Sequence, residues 1–159
     1  MSPKLQVGDQ APDFTLPNQK GESIRLQDKI GKQVIVLFFY PKDDSPGCTI
    51  EACAFRDSYE VFQEAGAEVI GISGGSTKAK QGFAMKNRLT FTLLSDADGS
   101  VEKQFGLTKF LGLVPDRMTF VIDKQGIIRH IFSSRVDMLG HAQAALAIVK
   151  QLAKEESPA

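Results

Sequence analysis

The chain has 159 residues, a size at which one domain buries roughly two thirds of the surface its unfolded form exposes, so no covalent staple is needed. Lysine plus arginine number 19 and aspartate plus glutamate also 19, which removes the electrostatic case for a nucleic-acid partner or an anionic membrane surface. The first ten residues lack the apolar centre of a signal peptide, and no apolar run approaches the ~18 residues that cross a bilayer, so a soluble protein is expected.

The opening stretch "DFTLPNQKGESIRL" predicts a small β-hairpin packed on a sheet edge. "QVIVLFF", Gln33 to Phe39, is a continuous apolar run of the kind buried on both faces of a parallel sheet, and should be the central strand. Ile50, Ala54, Phe55, Val61, Phe62 and Ala65 then recur at helical spacings, predicting an amphipathic helix from Cys48 to Ala65 that stops at Gly66. "AEVIGIS", Ala67 to Ser73, is a second buried strand and completes a right-handed βαβ unit. The following "GISGGSTK" misses the register of a phosphate loop and is taken as a turn, with Ser76 capping a helix to about Arg88.

"FTLLSD" is a further strand and Ser100 to Phe105 a short helix. "MTFVID", Met118 to Asp123, and "IIRHIFSS", Ile127 to Ser134, flank Lys124-Gln125-Gly126 as a hairpin. Gly140 to Lys154 is a closing helix with Ala144, Ala145, Ile148, Val149 and Leu152 on its apolar side, and residues 154–159 form a flexible tail. The order implies one three-layer α/β domain over residues 1–159, with a central mixed sheet.

The two cysteines, Cys48 and Cys53, follow the turn "YPKDDSPG". They are too few for a four-ligand zinc site unless histidines assist, and neither His130 nor His141 shows the short spacing of a zinc module. Cys48 falls in the first helical turn, where unpaired N–H groups and the positive end of the helix dipole favour an anion. A free thiol titrates near 8.5 and is only a few per cent ionised at neutral pH. A helix terminus supplies typically about 0.3–1 kcal/mol, too little alone, so a cation must come from elsewhere in the fold. Lys42 is nearest in sequence but belongs to the exposed side of the loop.

On an ideal helix, residues five apart have Cα atoms roughly 8–9 Å from each other, whereas a disulfide needs them within about 7 Å. A Cys48–Cys53 bond would therefore require the first turn to unwind. Spacing alone leaves open a second reading, two unrelated helical cysteines of which one caps and one is buried. Glu51 is read as an ordinary acid near a helix start.

"YPKDDSPGCTIEAC" resembles the active-site segment of the peroxiredoxins, whose Pro-x-x-x-Thr/Ser-x-x-Cys pattern is filled here by Pro41, Ser45 and Cys48. A second cysteine five residues on is similar to the Q-type, also called bacterioferritin comigratory protein. "VGDQAPDFTLPNQKGESIRL" and "DRMTFVIDKQGIIRHIF" resemble two further family segments, so the likeness covers nearly the whole chain. Ser45 departs from the commoner threonine and lacks the methyl that restricts the rotamer, and "SSRVDMLGHAQ" follows the pattern only loosely.

The resemblance implies a thioredoxin-like fold and a thiol-dependent peroxidase of hydrogen peroxide and organic (alkyl) hydroperoxides. It makes Cys48 the peroxidatic cysteine, Cys53 an intramolecular resolving cysteine, and Arg117 the cation that holds the thiolate and a peroxide oxygen. Ser45 and the amide of Gly47 would help bind substrate, and Pro41 would shield the sulfur. No cofactor is implied, whether metal, haem or flavin. Thioredoxin or a glutaredoxin-like dithiol would regenerate a monomeric enzyme, in the cytoplasm or a plastid-type organelle. Two rivals on the same fold are a general thiol-disulfide oxidoreductase, which would normally carry CxxC, and a non-catalytic binding or chaperone module.

Overall fold

In the computed structural model, which describes residues 5–107, 109–110, 114–115 and 117–156, the elements follow the expected order. Strands β1 (Thr15–Pro17) and β2 (Ser23–Arg25) form the antiparallel hairpin. β3 (Val34–Phe39) is buried at all six positions, as a strand covered on both faces must be. It leads through a turn into helix α1 (Pro46–Glu64), β4 (Ala67–Ser73), α2 (Thr77–Asn87), β5 (Thr92–Ser95) and α3 (Ser100–Gln104). A ribbon of β6 (Lys109–Phe110) and β7 (Val114–Pro115) precedes β8 (Met118–Ile122), β9 (Ile128–Ser133) and α4 (Met138–Glu156).

The main sheet runs β5-β4-β3-β8-β9. β3 pairs in parallel with β4 and antiparallel with β8, which makes the sheet mixed, and β1 is tied to it through a bridge between Asn18 and Leu94. Alternate side chains of β3 feed two cores. Val34, Val36 and Phe38 join residues of α1, α2 and α4, including Phe55, Phe62, Phe83 and Val149. Ile35, Leu37 and Phe39 join Phe14 and Leu16 near the hairpin, Val101 of α3, and Phe105 just beyond it. The result is the thioredoxin-like α/β arrangement with a central mixed sheet.

Several bounds differ from expectation for local reasons. α1 begins at Pro46, because proline has no N–H to lose at the first helical position and Ser45 is already extended there. Its buried stripe is Cys48, Glu51, Ala52, Phe55 and Phe62, so Ile50 and Val61, expected on that stripe, lie 51% and 38% exposed. Gly66, at φ 84°, ends it in the left-handed region. Ser76 caps α2 by accepting from the Ala79 amide at 3.0 Å.

α4 begins before Gly140 because Asp137 accepts from the Gly140 amide at 3.0 Å. It also runs into the expected tail: Arg129 on β9 holds Glu155 at 2.9 and 3.2 Å, so residues 154–156 are helical. Residues 157–159 lie outside the described residues.

Candidate active site

The antiparallel register that sets Phe39 opposite Met118 also decides what meets the end of β3. The chain leaves β3 through Tyr40 and turns into α1, while Arg117 immediately precedes β8 on the neighbouring strand. The guanidinium therefore arrives beside the start of α1, although 69 residues separate Arg117 from Cys48. Its Nη1 donates to Cys48 Sγ at 3.4 Å and to Glu51 Oε1 at 2.7 Å. Cys48 is fully buried, as is Glu51, and Arg117 is only 7% exposed.

Cys48 is the third residue of α1, where the helix N–H groups are still unpaired by the helix itself. Helix terminus and guanidinium thus act on the same sulfur, as the stabilisation argument required. Burial works against the charge of Arg117, but Glu51 and Cys48 outweigh it and hold its pKa above the ordinary arginine value. Burial pushes the Glu51 carboxyl up to about 8 despite the opposing pull of Arg117.

At Gly47 side chains of α4 and of Arg117 close in on the backbone of α1. A Cβ there would lie 2.8 Å from Met138 Cε and 3.2 Å from Arg117 Nη2, so only glycine leaves both where they stand. Ser45 Oγ donates to the Lys42 carbonyl at 3.0 Å, holding the turn rather than capping the helix. Pro41 is half-buried and lines a surface cleft with Asp43, Gly74 and Gly75. Lys42 is exposed, as expected of the outer side of the loop.

Cys53 sits five residues along the same unbroken helix, half-buried, with its Sγ 3.9 Å from Asn87 Oδ1 at the end of α2. Arg56 Nη1 donates to the Asn87 carbonyl at 2.7 Å, mooring this part of α1 to α2. Both cysteines are free thiols.

Two buried polar groups of residues escaped the sequence reading. Glu51 is not a solvent-facing acid at a helix start; it lies inside, between Arg117 and His141, whose Nδ1 is 3.4 Å from Glu51 Oε2. Its spacing of three from Cys48 was the available signal, since that puts both on one helix face. The second group underlies the loop. Tyr40 Oη donates to Asp43 Oδ1 at 2.6 Å, and the fully buried Lys80 donates to Asp43 Oδ2 at 3.0 Å, Ser73 Oγ at 2.6 Å and the Gly74 carbonyl at 2.9 Å.

All the donors of the Lys80 ammonium are thereby used. Burial lowers its pKa, against the charge of Asp43, and burial followed by Asp43 raises that of Tyr40. Its spacing of three and four from the buried Phe83 and Ala84 was the available signal for Lys80. Among the described residues no cluster of His, Cys, Asp or Glu could hold a metal ion, and no helix is long and apolar enough to cross a membrane.

Residues 7–131 match the AhpC/TSA family. The chain is 46% identical over 150 residues to "Peroxiredoxin Q, chloroplastic" of Triticum aestivum, spanning 94% of this chain and 69% of that protein. It is 47% identical over 148 residues to the protein of the same name from Arabidopsis thaliana, spanning 92% and 68%. Among solved structures it superposes on peroxidoxin BcpB of Mycobacterium tuberculosis with a TM-score of 0.87 and 40% identity, covering 93% of this chain and 98% of the other. Peroxiredoxin Q of Xanthomonas campestris gives a TM-score of 0.80 and 32% identity, covering 88% and 91%.

Proposed function

Because the chain belongs to the AhpC/TSA family, as a peroxiredoxin of the Q type and hence a thiol-dependent peroxidase, we propose that Cys48 is its peroxidatic cysteine, Cys53 its resolving cysteine and Arg117 its substrate-holding cation. One observation carries the assignment: Arg117 Nη1 lies 3.4 Å from the Cys48 sulfur at the start of α1.

The Cys48 thiolate attacks the terminal oxygen of a hydroperoxide in line with the O–O bond. That bond breaks, its electron pair leaves with the distal oxygen, and the leaving group takes a proton to become water or an alcohol; Cys48 becomes a sulfenic acid. Arg117 and the Gly47 amide hold the oxygens and stabilise the charge developing on the leaving one. The Ser45 hydroxyl, free to rotate away from the Lys42 carbonyl, joins them when substrate is present. Pro41, at the mouth of the loop, limits water at the sulfur.

After the first turn of α1 unwinds, the Cys53 thiolate attacks the sulfenic sulfur and expels hydroxide, which is protonated to water, leaving a disulfide within one chain. A dithiol protein of the thioredoxin or glutaredoxin type reduces that bond by exchange. An intramolecular disulfide needs no second subunit, which supports a monomer. The cycle needs a steady dithiol supply, which the cytoplasm provides; the chloroplastic naming of the plant relatives supports a plastid-type organelle as the alternative.

Peroxide consumption coupled to a generic thioredoxin system tests the assignment. Cys48→Ser should abolish consumption, whereas Cys53→Ser should consume about one equivalent and stall at the sulfenic acid. Oxidised wild type should show, by mass, the loss of a pair of hydrogens within one chain. Undiminished turnover by Cys48→Ser would end the proposal.

A further inference from the structure

The Arg117 nitrogen that reaches Cys48 also binds Glu51, and it does so more closely, at 2.7 Å against 3.4 Å. What sets the charge on Glu51 therefore sets how much of the guanidinium remains for the sulfur. The second carboxyl oxygen, Oε2, is buried and makes no hydrogen bond among the described residues, an arrangement that costs free energy for an ionised carboxylate. The group facing it is His141, 3.4 Å away and itself fully buried.

The hydrogen-bond pattern defines what His141 can do. Its Nε2 lies 2.9 Å from the Ser134 carbonyl, which can only accept, so Nε2 carries a hydrogen. Nδ1 is then the acceptor side of the ring: the Thr119 hydroxyl donates to it at 2.7 Å, and Glu51 Oε2 stands beside it at 3.4 Å without a hydrogen bond. The Phe132 ring, 4.7 Å away between centroids and edge-on, fixes the imidazole plane. A proton held in this space can sit on Glu51 beside Nδ1, or sit on Nδ1 next to Oε2 once the Thr119 hydroxyl rotates from donating to Nδ1 to accepting from it. In either arrangement the Glu51–His141 pair is neutral overall.

We propose that His141 is a positioning residue that shares one proton with Glu51 and thereby decides whether Arg117 spends its charge on Cys48 or on Glu51. With the proton present the pair is neutral and the guanidinium is left to the thiolate. With it lost, a carboxylate at the closer contact neutralises Arg117, and two anions compete for one nitrogen. The inference rests on Cys48 being the nucleophile and goes beyond that reading by adding a residue on α4.

The charged and titratable groups facing the pair come from each neighbouring element: Cys48 on α1, Arg117 before β8, and Asp137 just ahead of α4. Tyr40 and Lys80 also couple electrostatically to Cys48. Burial lowers the His141 pKa, with the Ser134 hydrogen bond opposing it, while Glu51 is pushed up to about 8. The proton therefore leaves the pair in the mildly alkaline range.

The test is the pre-steady-state rate constant of the reduced chain with hydrogen peroxide across neutral and alkaline pH, for wild type, Glu51→Gln, His141→Phe and His141→Asn, each checked for folding by circular dichroism. Wild type should show a limb of falling reactivity centred near pH 8. Glu51→Gln should erase it. His141→Phe, which removes the proton acceptor, should move it down by about one pH unit or more, and His141→Asn, whose amide can stand where Nδ1 stands, should restore part of that shift. An unchanged limb in folded His141→Phe overturns the proposal.

Ring-nitrogen NMR on the unaltered chain, which has only two histidines, gives a readout free of folding defects and of turnover. Nε2 should remain protonated throughout while the Nδ1 resonance moves across the same limb, and that movement should vanish in Glu51→Gln. A flat Nδ1 resonance overturns the link. A chain that fails to react with peroxide at any pH would instead strike the Cys48 assignment, and the nitrogen titration would still decide the coupling.

Discussion

Gly47 shows how one missing methyl sets the geometry of the reacting sulfur. A Cβ at this position would meet Met138 Cε at 2.8 Å and Arg117 Nη2 at 3.2 Å. The methionine end is flexible and can swing aside, but Arg117 is held by Glu51 at 2.7 Å and cannot yield without carrying its contact to Cys48 with it. Alanine is meanwhile the better helix former, by about 1 kcal/mol in a helix interior and less near an end. The two effects therefore separate: Gly47→Ala should leave the thermal midpoint level or slightly raised, while the rate constant for peroxide falls about 10-fold or more, in keeping with the cost of misplacing a reacting group by a fraction of an ångström. Stopped-flow kinetics beside a melting curve check this, and an unimpaired rate would show that Arg117 tolerates displacement.

Along α1 the restraints are uneven, and this predicts where the helix opens. Its start has Pro46, Ile50 at 51% exposure and no side-chain cap from Ser45, and its buried Cys48 and Glu51 are held through Arg117, a contact that oxidation of the sulfur disturbs, whereas Phe55 and Phe62 are fully buried in the core and Arg56 is tied to Asn87 of α2. Opening should run from the N-terminal end and stop near Cys53. Hydrogen exchange on the disulfide form should show lost protection at Thr49 to Cys53 with residues 55–64 still protected; loss across the whole helix would contradict it. The same unevenness marks what could be read from sequence. Buried strands such as Val34–Phe39 and the βαβ order are legible because burial and period are local properties of the chain. The longer reach of α4 was not, because Arg129 on β9 extends it through Glu155. Cys48 and Cys53 stood out by spacing, but Arg117 is brought in by strand register across 69 residues and was found only through resemblance. Glu51 was legible in principle as an acid within the stripe of Cys48, Ala52 and Phe55, and so were Lys80, three and four residues before Phe83 and Ala84, and His141, three and four before Ala144 and Ala145; what spacing could not supply was the partner across the fold that each of them meets.

At the scale of the molecule, formal charges sum to zero, so net repulsion contributes little to the pH dependence of stability and the buried groups decide it. Glu51 has an ordinary value of 4.5 when unfolded and is pushed up to about 8 by burial when folded. Between these values the folded chain binds the proton more tightly, so this group's stabilisation is complete below 4.5 and is lost as pH rises through about 8. His141 acts in the opposite sense: burial lowers it from 6.5, so its contribution is present above 6.5 and is lost on acidification. The two oppose each other on the acid side of 6.5; above it Glu51 lowers stability until Lys80, lowered by burial from 10.5, begins to oppose it at higher pH, while the contact of Arg117 with the Cys48 sulfur adds a contribution of its own that Glu51→Gln leaves in place. The contribution of Glu51 to stability should therefore decline from pH 6.5 to 8 by on the order of 1–2 kcal/mol, which for a chain of this length is about 2–8 °C in midpoint. Glu51→Gln cannot ionise and should flatten that decline while leaving the acid limb in place. Calorimetric midpoints of both proteins over this range decide the matter, because a decline of equal slope in Glu51→Gln would place its origin outside the Arg117–Glu51–His141 cluster.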